Sequence, residues 1–266
     1  MGEDMKEEHI FAICAYKESA YLEACIQSLK RQTRKSKIIL ATSTPNTYIE
    51  NLCSKYQIPM YVNHGEKGIT QDWNFAYQCA DSRYVTIAHQ DDVYLPDYWE
   101  KVYNHIKRAK KPLIAFGDYG ELRNKTVVTD NKLLKVKRTM LLPLRIRKFW
   151  SSKFIRRRIL SFGCAICCPS VTFDKKNLPQ PVFRPGFRSA EDWEAWERLS
   201  RRKGSFVYVH DVIMYHRIHE ESETSIILKD NARKKEDYTM FRKFWPAPIA
   251  KMLVKLYSSS EKSNEL

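Results

Sequence analysis

Two neighbouring carboxylates near the middle of the chain are the clearest candidates for chemistry. The segment His89-Gln90-Asp91-Asp92 directly follows residues 84–88, an apolar run with the length of a β-strand. Adjacent carboxylates beyond an apolar strand are costly unless they are solvated or bind a cation. Oxygen ligands of this kind suit Mg²⁺ or Mn²⁺. The alternative is a helix-capping loop, because acidic residues favour helix starts and a helix is predicted nearby.

A second acidic pair, Glu191 and Asp192, opens a predicted amphipathic helix that carries Trp193 and Trp196. Acidic residues at a helix start interact favourably with the helix dipole, so their position alone does not require a function. The functional interpretation is a general base, because a carboxylate here would accept a proton from an attacking hydroxyl group.

Two histidines, His216 and His219, precede the acidic and hydroxyl-rich residues 220–225. They are able to approach an anionic ligand or a metal ion. Together with Cys164 and Cys167 they also have the residue types and pair spacings that zinc accepts. A zinc-stabilised nucleic-acid-binding protein is therefore one alternative, although the 48 residues between the pairs carry no information.

Short apolar runs alternate with helical patterns through the first 120 residues. This alternation favours an α/β fold with a mostly parallel sheet and helices on both faces. Ligands of such sheets bind beyond the carboxyl ends of the strands. The strands are predicted at residues 9–14, 37–42, 60–63, 84–88 and 112–116, and the helices at 19–33, 46–56, 70–80 and 96–108.

The second half of the chain has a less regular pattern. Residues 132–159 are predicted to be helical and broken by Pro143, and a helix is predicted at residues 191–201. Strands are predicted at residues 165–173, 205–209 and 212–215.

The net charge of +15 is concentrated in two segments. Residues 132–158 hold eleven basic and no acidic residues, and residues 229–256 have a net charge of +5. Both segments also contain large apolar side chains, a combination that suits the headgroup region of an anionic membrane. Arg156, Arg157 and Arg158 are expected to face that surface. A solvated basic face and a nucleic-acid partner are the alternatives, and no nucleic-acid partner is expected.

The seven cysteines show no disulfide framework, and most lie in apolar runs, which indicates a reducing compartment. Residues 1–8 are acidic and lack the basic and apolar stretches of a signal peptide. No apolar run reaches the length of a membrane-spanning helix. We expect a cytoplasmic protein, peripheral on the inner face of a bacterial membrane.

Four blocks of sequence, in order and within residues 10–226, resemble the motifs of family 2 glycosyltransferases of the bacterial polysaccharide and cell-envelope type. Residues 11–33 resemble the opening of the family, FAICAYKESAYLEACIQSLKRQT. Residues 89–96, HQDDVYLP, resemble its metal-binding Asp-X-Asp motif. Residues 191–194, EDWE, resemble its catalytic Glu-Asp motif, and residues 215–225, YHRIHEESETS, resemble the segment that closes the domain.

The resemblance implies a GT-A (Rossmann-like) fold and inverting transfer of a sugar from a nucleotide diphosphate donor, with UDP as the usual nucleotide. By position, Ala15, Tyr16 and Glu18 would border the nucleotide base. Asp91 would hold Mn²⁺ or Mg²⁺ against the diphosphate. Asp92 would support the donor sugar or the metal.

On the acceptor side, the resemblance implies that Asp192 takes the proton from an acceptor hydroxyl, with Glu191 nearby. His216 or His219 would contact the diphosphate or the metal. The acceptor is expected to be a glycan or a lipid-linked molecule.

The sequence departs from the family pattern in three places. Residues 42–46 lack the acidic pair that often binds the base or ribose after the second strand, which puts the uridine preference in doubt. His89 replaces the first aspartate of the metal motif. Residues 72–74 lack a common arginine, and Lys67 is the candidate for the missing positive charge near the phosphates. A catalytically inactive member that acts as a binding or assembly subunit is therefore another alternative.

The motifs and the charge divide the chain into a glycosyltransferase domain and a tail. The domain is expected at residues 1–226, with a nucleotide-sugar-binding half at 9–120 and an acceptor half at 121–226. Residues 227–266 are expected to form a basic amphipathic helical tail.

Overall fold

The fold is built on one sheet. The computed structural model describes residues 8–219 and 232–261 of the chain. The strands within these residues are β1 (His9–Ala15), β2 (Lys37–Thr42), β3 (Met60–Val62), β4 (Tyr84–His89), β5 (Val93–Tyr94), β6 (Pro112–Arg123), β7 (Thr126–Val128), β8 (Thr172–Asp174) and β9 (Ser205–Ile218). They lie in the order β3-β2-β1-β4-β8-β6-β9-β5, and β7 pairs with β6.

Most strands of this sheet share one direction. β1 is parallel to β2 and β4, and β2 is parallel to β3. β8 is antiparallel to both β4 and β6, so β6 returns to the direction of β4, and β9 is parallel to β6. β5 and β7 are antiparallel to their partners. The predicted mostly parallel α/β sheet is confirmed, and the carboxyl ends of β1, β2, β3 and β4 meet at one edge.

Helices flank the sheet and begin at residues suited to that position. Asn46 accepts a hydrogen bond from the backbone N–H of Ile49, and Asn131 accepts one from Leu134, so both cap a helix. The helices of the described residues are α1 (Leu22–Lys30), α2 (Thr47–Tyr56), α3 (Ile69–Cys79), α4 (Tyr98–Ile106), α5 (Lys132–Leu141), α6 (Lys153–Leu160), α7 (Glu191–Ser200), α8 (Ala232–Arg242) and α9 (Ala247–Glu261).

Three expectations for the second half need correction. The predicted strand at residues 165–173 is wrong over most of its length. Cys168–Ser170 forms a 3-10 turn there, because Pro169 has no N–H to donate to a ladder. The strands predicted at 205–209 and 212–215 are one strand, β9, which continues past an irregularity in its register with β6.

The basic run at residues 156–158 does not face solvent as a unit. Arg156 is 1% exposed, and its guanidinium donates hydrogen bonds to the carbonyls of Ser200, Arg202 and Gly204 at 3.0, 2.8 and 2.6 Å. The expectation that all three arginines face a membrane is therefore wrong for Arg156. This side chain joins α6 to the turn after α7.

The C-terminal helices α8 and α9 pack against α7. The indole of Trp193 contacts the rings of Phe241 and Tyr257, with centroids 5.0 and 5.7 Å apart. Met240, Phe241 and Ala250 are fully buried. None of the helices in residues 8–219 and 232–261 has both the length and the apolar character needed to cross a membrane.

Candidate active site

The centre of the candidate site is the tight turn between β4 and β5. β4 ends at His89 and β5 begins at Val93, so Gln90, Asp91 and Asp92 form the turn. The Asp92 N–H donates to the His89 carbonyl at 3.3 Å, which closes the turn. The turn therefore projects two carboxylates and one imidazole from the carboxyl end of a buried strand.

Asp92 is fully buried and is held by β9. Its Oδ1 lies 3.0 Å from His216 Nδ1 and accepts a hydrogen bond from the Arg217 N–H at 2.9 Å. Burial opposes a charge on His216, but Asp92 outweighs this effect and raises the pKa of His216. Within residues 8–219 and 232–261, Asp92 Oδ2 has no hydrogen-bond partner.

Asp91 is held by the last residues before the undescribed segment 220–231. Its Oδ2 lies 3.0 Å from His219 Nε2, and its carbonyl accepts a hydrogen bond from Arg217 Nε at 2.8 Å. Burial opposes ionisation of Asp91, but the hydrogen bond from His219 and the nearby His216 lower its pKa. The Arg217 guanidinium lies 4.3 Å from the ring centre of Tyr21 on the other side. Asp91 is therefore anchored as a carboxylate.

His89 completes a group of potential metal ligands. Ligand atoms of His89, Asp91 and Asp92 all lie within 4.8 Å of one another. Burial lowers the pKa of His89, so its imidazole is neutral and able to coordinate. The ring stacks on Trp73 at 5.2 Å, and Nε2 is buried with no hydrogen-bond partner in the described part of the chain.

The turn also fixes the loop after β1. The Gln90 side-chain amide accepts from the Tyr16 N–H at 3.0 Å and donates to the Tyr16 carbonyl at 3.0 Å. The Tyr16 ring is 51% exposed above this clamp, and Glu18 is exposed as well. Ala15 is buried as the last residue of β1. This arrangement presents an aromatic side chain beside the carboxylate turn.

A carboxylate from α3 stands at the ends of β2 and β3. Asp72 Oδ2 accepts a hydrogen bond from Ser43 Oγ at 2.8 Å, and Oδ1 accepts one from Asn63 Nδ2 at 2.9 Å. Ser43 follows β2 and Asn63 follows β3. Asp72 thus places a carboxylate at the ends of β2 and β3, although residues 42–46 contain no acid.

Asp192 is positioned at the start of α7. Its Oδ1 accepts a hydrogen bond from the Trp193 N–H at 2.6 Å, and its Oδ2 accepts one from the Cys164 thiol at 3.5 Å. Burial raises the pKa of Asp192, although these two donors oppose the shift. Burial likewise raises the pKa of the Cys164 thiol, so it remains a donor. A carboxylate with a raised pKa has the properties of a general base.

Comparison with known families identifies the protein family of the chain. The family model described as Glycosyl transferase family 2 matches residues 10–173. The chain belongs to glycosyl transferase family 2. It is therefore a glycosyltransferase, and the resemblance seen in its sequence motifs is confirmed. A comparison with curated proteins found no match.

Solved structures of S. aureus TarS share the fold of this family 2 glycosyltransferase. TarS 1-349 in complex with UDP-GlcNAc aligns with a TM-score of 0.60 and 14% identity over 96% of this chain and 73% of that chain. TarS 1-349 in complex with UDP aligns with a TM-score of 0.52 and 13% identity over 96% and 72%. A longer TarS structure aligns with a TM-score of 0.54 and 12% identity over 93% of this chain and 42% of that chain. The chain thus spans less than half of the longer TarS.

The glycosyltransferase fold brings together four of the predicted site residues. Asp91, Asp92, His216 and His219 form one connected group at the ends of β4 and β9. Glu191 is buried beside Asp192 in the first turn of α7. Lys67 is exposed in the loop before α3 and has no contact with this group among the described residues.

The ligand set expected for zinc is not assembled. In the described part of the chain, His89, Asp91 and Asp92 are the one group of at least three potential ligands close enough to hold an ion. Cys164 instead contacts Asp192, and His216 contacts Asp92. The zinc-stabilised alternative therefore has no site in these residues.

The sequence does not predict the contacts of two residues near the candidate site, Gln90 and Asp72. Gln90 lies inside the metal motif, but its role is to bind backbone rather than a ligand. Asp72 is separated by 29 residues from Ser43, which binds it. The available signal for Asp72 was its place near the start of a predicted helix after the third strand.

Proposed function

We propose that this glycosyltransferase moves a sugar from a nucleotide diphosphate donor, with a UDP-sugar as the first candidate, to a hydroxyl of a glycan or lipid-linked acceptor. One observation carries the proposal. The His89, Asp91 and Asp92 ligand atoms lie within 4.8 Å of one another at the edge where parallel strands end. The TarS structures with UDP and UDP-GlcNAc, which share the fold, support a uridine donor.

The residues of the turn fit a divalent cation such as Mn²⁺ or Mg²⁺. Asp92 Oδ2 and His89 Nε2 are buried polar atoms without partners in the described residues, so an ion would satisfy both. Asp91 and Asp92 would supply the hard oxygen ligands, and His89 would supply nitrogen, which favours Mn²⁺ over Mg²⁺. When bound, such an ion offsets negative charge that develops on a leaving diphosphate.

The protein groups around the turn hold substrates in place. His219 and Arg217 fix the orientation of Asp91, and Gln90 fixes the backbone of Tyr16. Tyr16, Glu18 and Ala15 would border the base, and Asp72 would replace the missing acidic pair in binding base or ribose. Lys67 would approach the phosphates only if the exposed loop that carries it closes.

Asp192 would act as the general base. The proton of the acceptor hydroxyl would pass to Asp192 Oδ2 as the oxygen attacks the anomeric carbon. The bond from that carbon to the diphosphate oxygen would break in the same displacement, so the nucleoside diphosphate leaves with the electron pair and the configuration inverts. Among the described residues, Oδ2 accepts a hydrogen bond only from the Cys164 thiol, whereas Oδ1 accepts one from the Trp193 N–H. Glu191 would complete the acidic pair in the first turn of α7.

A donor screen tests this proposal. The chain would be titrated with UDP-, GDP- and dTDP-sugars with and without Mn²⁺, and thermal shift and release of the nucleoside diphosphate would be measured. We expect metal-dependent stabilisation and release with one nucleotide class. Binding of a donor without any turnover would favour the inactive binding subunit, and a flat response to every donor would refute both.

We also propose that the enzyme works at an anionic membrane surface through residues 132–158 and 229–256, on the cytoplasmic side. Phe154 is 68% exposed, and the Arg158 guanidinium lies 5.6 Å from its ring centre. On α9, Leu256 is 61% exposed. Exposed aromatic and aliphatic side chains beside cations suit the headgroup region.

Co-sedimentation with vesicles tests the membrane proposal. The double variant Phe154→Ser with Arg158→Glu should lose most binding to phosphatidylglycerol vesicles, because it removes an apolar anchor and reverses a charge. Lys30→Glu, on α1, makes a similar charge change outside these segments and should retain binding. Equal binding by the wild type to neutral phosphatidylcholine vesicles would contradict the electrostatic part of the proposal.

A further inference from the structure

Lys137 is a cation that the chemistry proposed above does not use. It lies on α5 and is only partly exposed, unlike the solvent-facing lysines of that helix. Its Nζ donates a hydrogen bond to the Tyr119 hydroxyl at 2.9 Å and lies 5.2 Å from the centre of that ring. A tyrosine hydroxyl is neutral at physiological pH, so this contact leaves the charge of Lys137 without compensation.

The neighbours of Lys137 on α5 each have an acidic partner. Lys135 Nζ lies 3.2 Å from Asp130, and Arg138 Nε lies 3.5 Å from Asp118. Within residues 8–219 and 232–261, no carboxylate forms an ion pair with Lys137. Burial removes water from an ammonium group, and the neutral Tyr119 hydroxyl replaces only part of that solvation, so an anion would stabilise the charge.

Lys137 is directed towards the reacting groups rather than away from them. The Tyr119 ring that binds it lies on β6, with its centre 6.3 Å from the His216 ring centre. His216 in turn binds Asp92. One hydrogen bond and one ring contact therefore connect Lys137 to the carboxylate turn.

The other side of Lys137 approaches the proposed base. Lys137 and Ala165 line a void of about 10 Å³ that Asp118 and Arg138 also border, and Ala165 follows Cys164, whose thiol binds Asp192. Lys137 also lies close enough to act against the burial that raises the pKa of Asp192. Lys137 is thus connected through Tyr119 and His216 to the turn that would bind the donor, and it lies near the carboxylate that would activate the acceptor.

We propose that Lys137 binds a phosphate oxygen of a substrate beside Tyr119 and His216, with Tyr119 holding its side chain in position. The inference rests on the proposed function, because that function supplies the substrates. A phosphate would provide the missing negative charge through a charge-assisted hydrogen bond. Two sources share this chemistry: the diphosphate of the donor, and a phosphate group of the acceptor beside its reacting hydroxyl.

Binding measurements on four proteins separate these sources. Wild type, Lys137→Met, Lys137→Arg and the matched control Lys135→Met would be titrated by calorimetry with UDP and with uridine in the presence of Mn²⁺. Glycerol 3-phosphate and glycerol would then be titrated both without UDP and at saturating UDP. Melting temperatures would be recorded first, and Lys137→Gln would replace Lys137→Met if the methionine variant is unfolded.

Lys137→Met should weaken one phosphate probe about tenfold or more, because a hydrogen bond between charged groups is lost. Weaker UDP binding with unchanged uridine binding would identify the donor diphosphate as the group that Lys137 binds. Weaker glycerol 3-phosphate binding with unchanged UDP binding would identify a phosphate of the acceptor as that group. Lys137→Arg should restore most of the affinity, and Lys135→Met should behave as wild type.

Unchanged affinity of Lys137→Met for every probe would overturn the assignment of Lys137 and leave the proposed function intact. Absence of UDP binding by wild type, with glycerol 3-phosphate binding that still depends on Lys137, would contradict the proposed donor but support the phosphate site. Absence of binding by wild type to any phosphate probe would overturn both.

Discussion

The carboxylates of Asp91 and Asp92 at the β4 turn have more hydrogen-bonding and charged partners than the carboxylate of Asp192 on α7. The turn carboxylates contact two imidazoles and the backbone N–H of Arg217, and the pKa of Asp91 is lowered. The Arg217 side chain binds the Asp91 backbone carbonyl. Asp192 contacts a weak thiol donor and one backbone N–H, and burial raises its pKa. The surroundings of Asp91 favour its anion, and those of Asp192 favour its protonated form, which suits the roles proposed for them.

This contrast explains why two acidic pairs in one chain have different proposed roles. A cation ligand must keep its charge, so a dense set of donors and cations around it is useful. A general base must accept a proton at the working pH, so partial desolvation with few donors is useful. The following variants test the two sides of the contrast, from the largest expected effect to the smallest.

Asp192→Asn should lower sugar transfer about 10³-fold, because the amide cannot accept the acceptor proton. The variant should melt at or above the wild-type temperature. The raised pKa means that the folded state holds the Asp192 proton more tightly than the unfolded state, so stability is lost as pH rises through that pKa. Asn removes this penalty. Asp211→Asn, a half-exposed control, should keep full activity.

His216→Ala should lower the free energy of unfolding by about 3 kcal/mol, because it leaves the buried Asp92 charge without its imidazole partner. Chemical denaturation of the apo protein measures this change. His64→Ala, at an exposed histidine, is the matched control and should be near neutral. Similar stability of the two variants would show that Asp92 is not held as an ion.

Asp91→Asn should raise the Mn²⁺ concentration needed for half-maximal donor turnover about tenfold or more, because a charged ligand becomes neutral. Donor turnover at several Mn²⁺ concentrations measures the change. The acidic limb of the pH profile should stay in place, because Asp192 is unaltered. A wild-type-like metal requirement would remove Asp91 from the ligand set.

Replacing Cys164 should shift the pH at which the rate of sugar transfer falls in acid, and the enzyme should remain active. The wild-type rate should fall with acid at a pH above the usual range of a carboxyl group, because burial raises the pKa of Asp192. Cys164→Ala removes an opposing donor and should move the limb to higher pH. Cys164→Ser supplies a stronger donor and should move it to lower pH. A limb that stays fixed in both variants would separate Cys164 from Asp192.

Much of the nucleotide-side architecture follows from sequence patterns. Apolar runs of strand length and helical periodicity place β1 to β4 and their helices within three residues, because local periodicity determines them. The rule that ligands bind beyond parallel strand ends then places His89, Asp91 and Asp92 together. These features need only neighbouring residues in the chain.

Features that depend on contacts across the chain were not predictable in this way. Arg156 has the sequence surroundings of a surface charge, yet it binds three carbonyls that lie 44 to 48 residues away. Asp72 meets Ser43 only after β2 and α3 have packed. The apolar run at residues 165–173 was assigned as a strand because hydropathy does not reveal the turn at Pro169.

The reciprocal hydrogen bonds between Gln90 and the Tyr16 backbone have a consequence for transplanting this motif. A designer who copies only the acidic residues of the turn into another GT-A scaffold would leave the opening loop free to rotate. Gln90 fixes the loop after β1 to the turn after β4. A transplanted motif should therefore include Gln90 together with the loop that carries Tyr16.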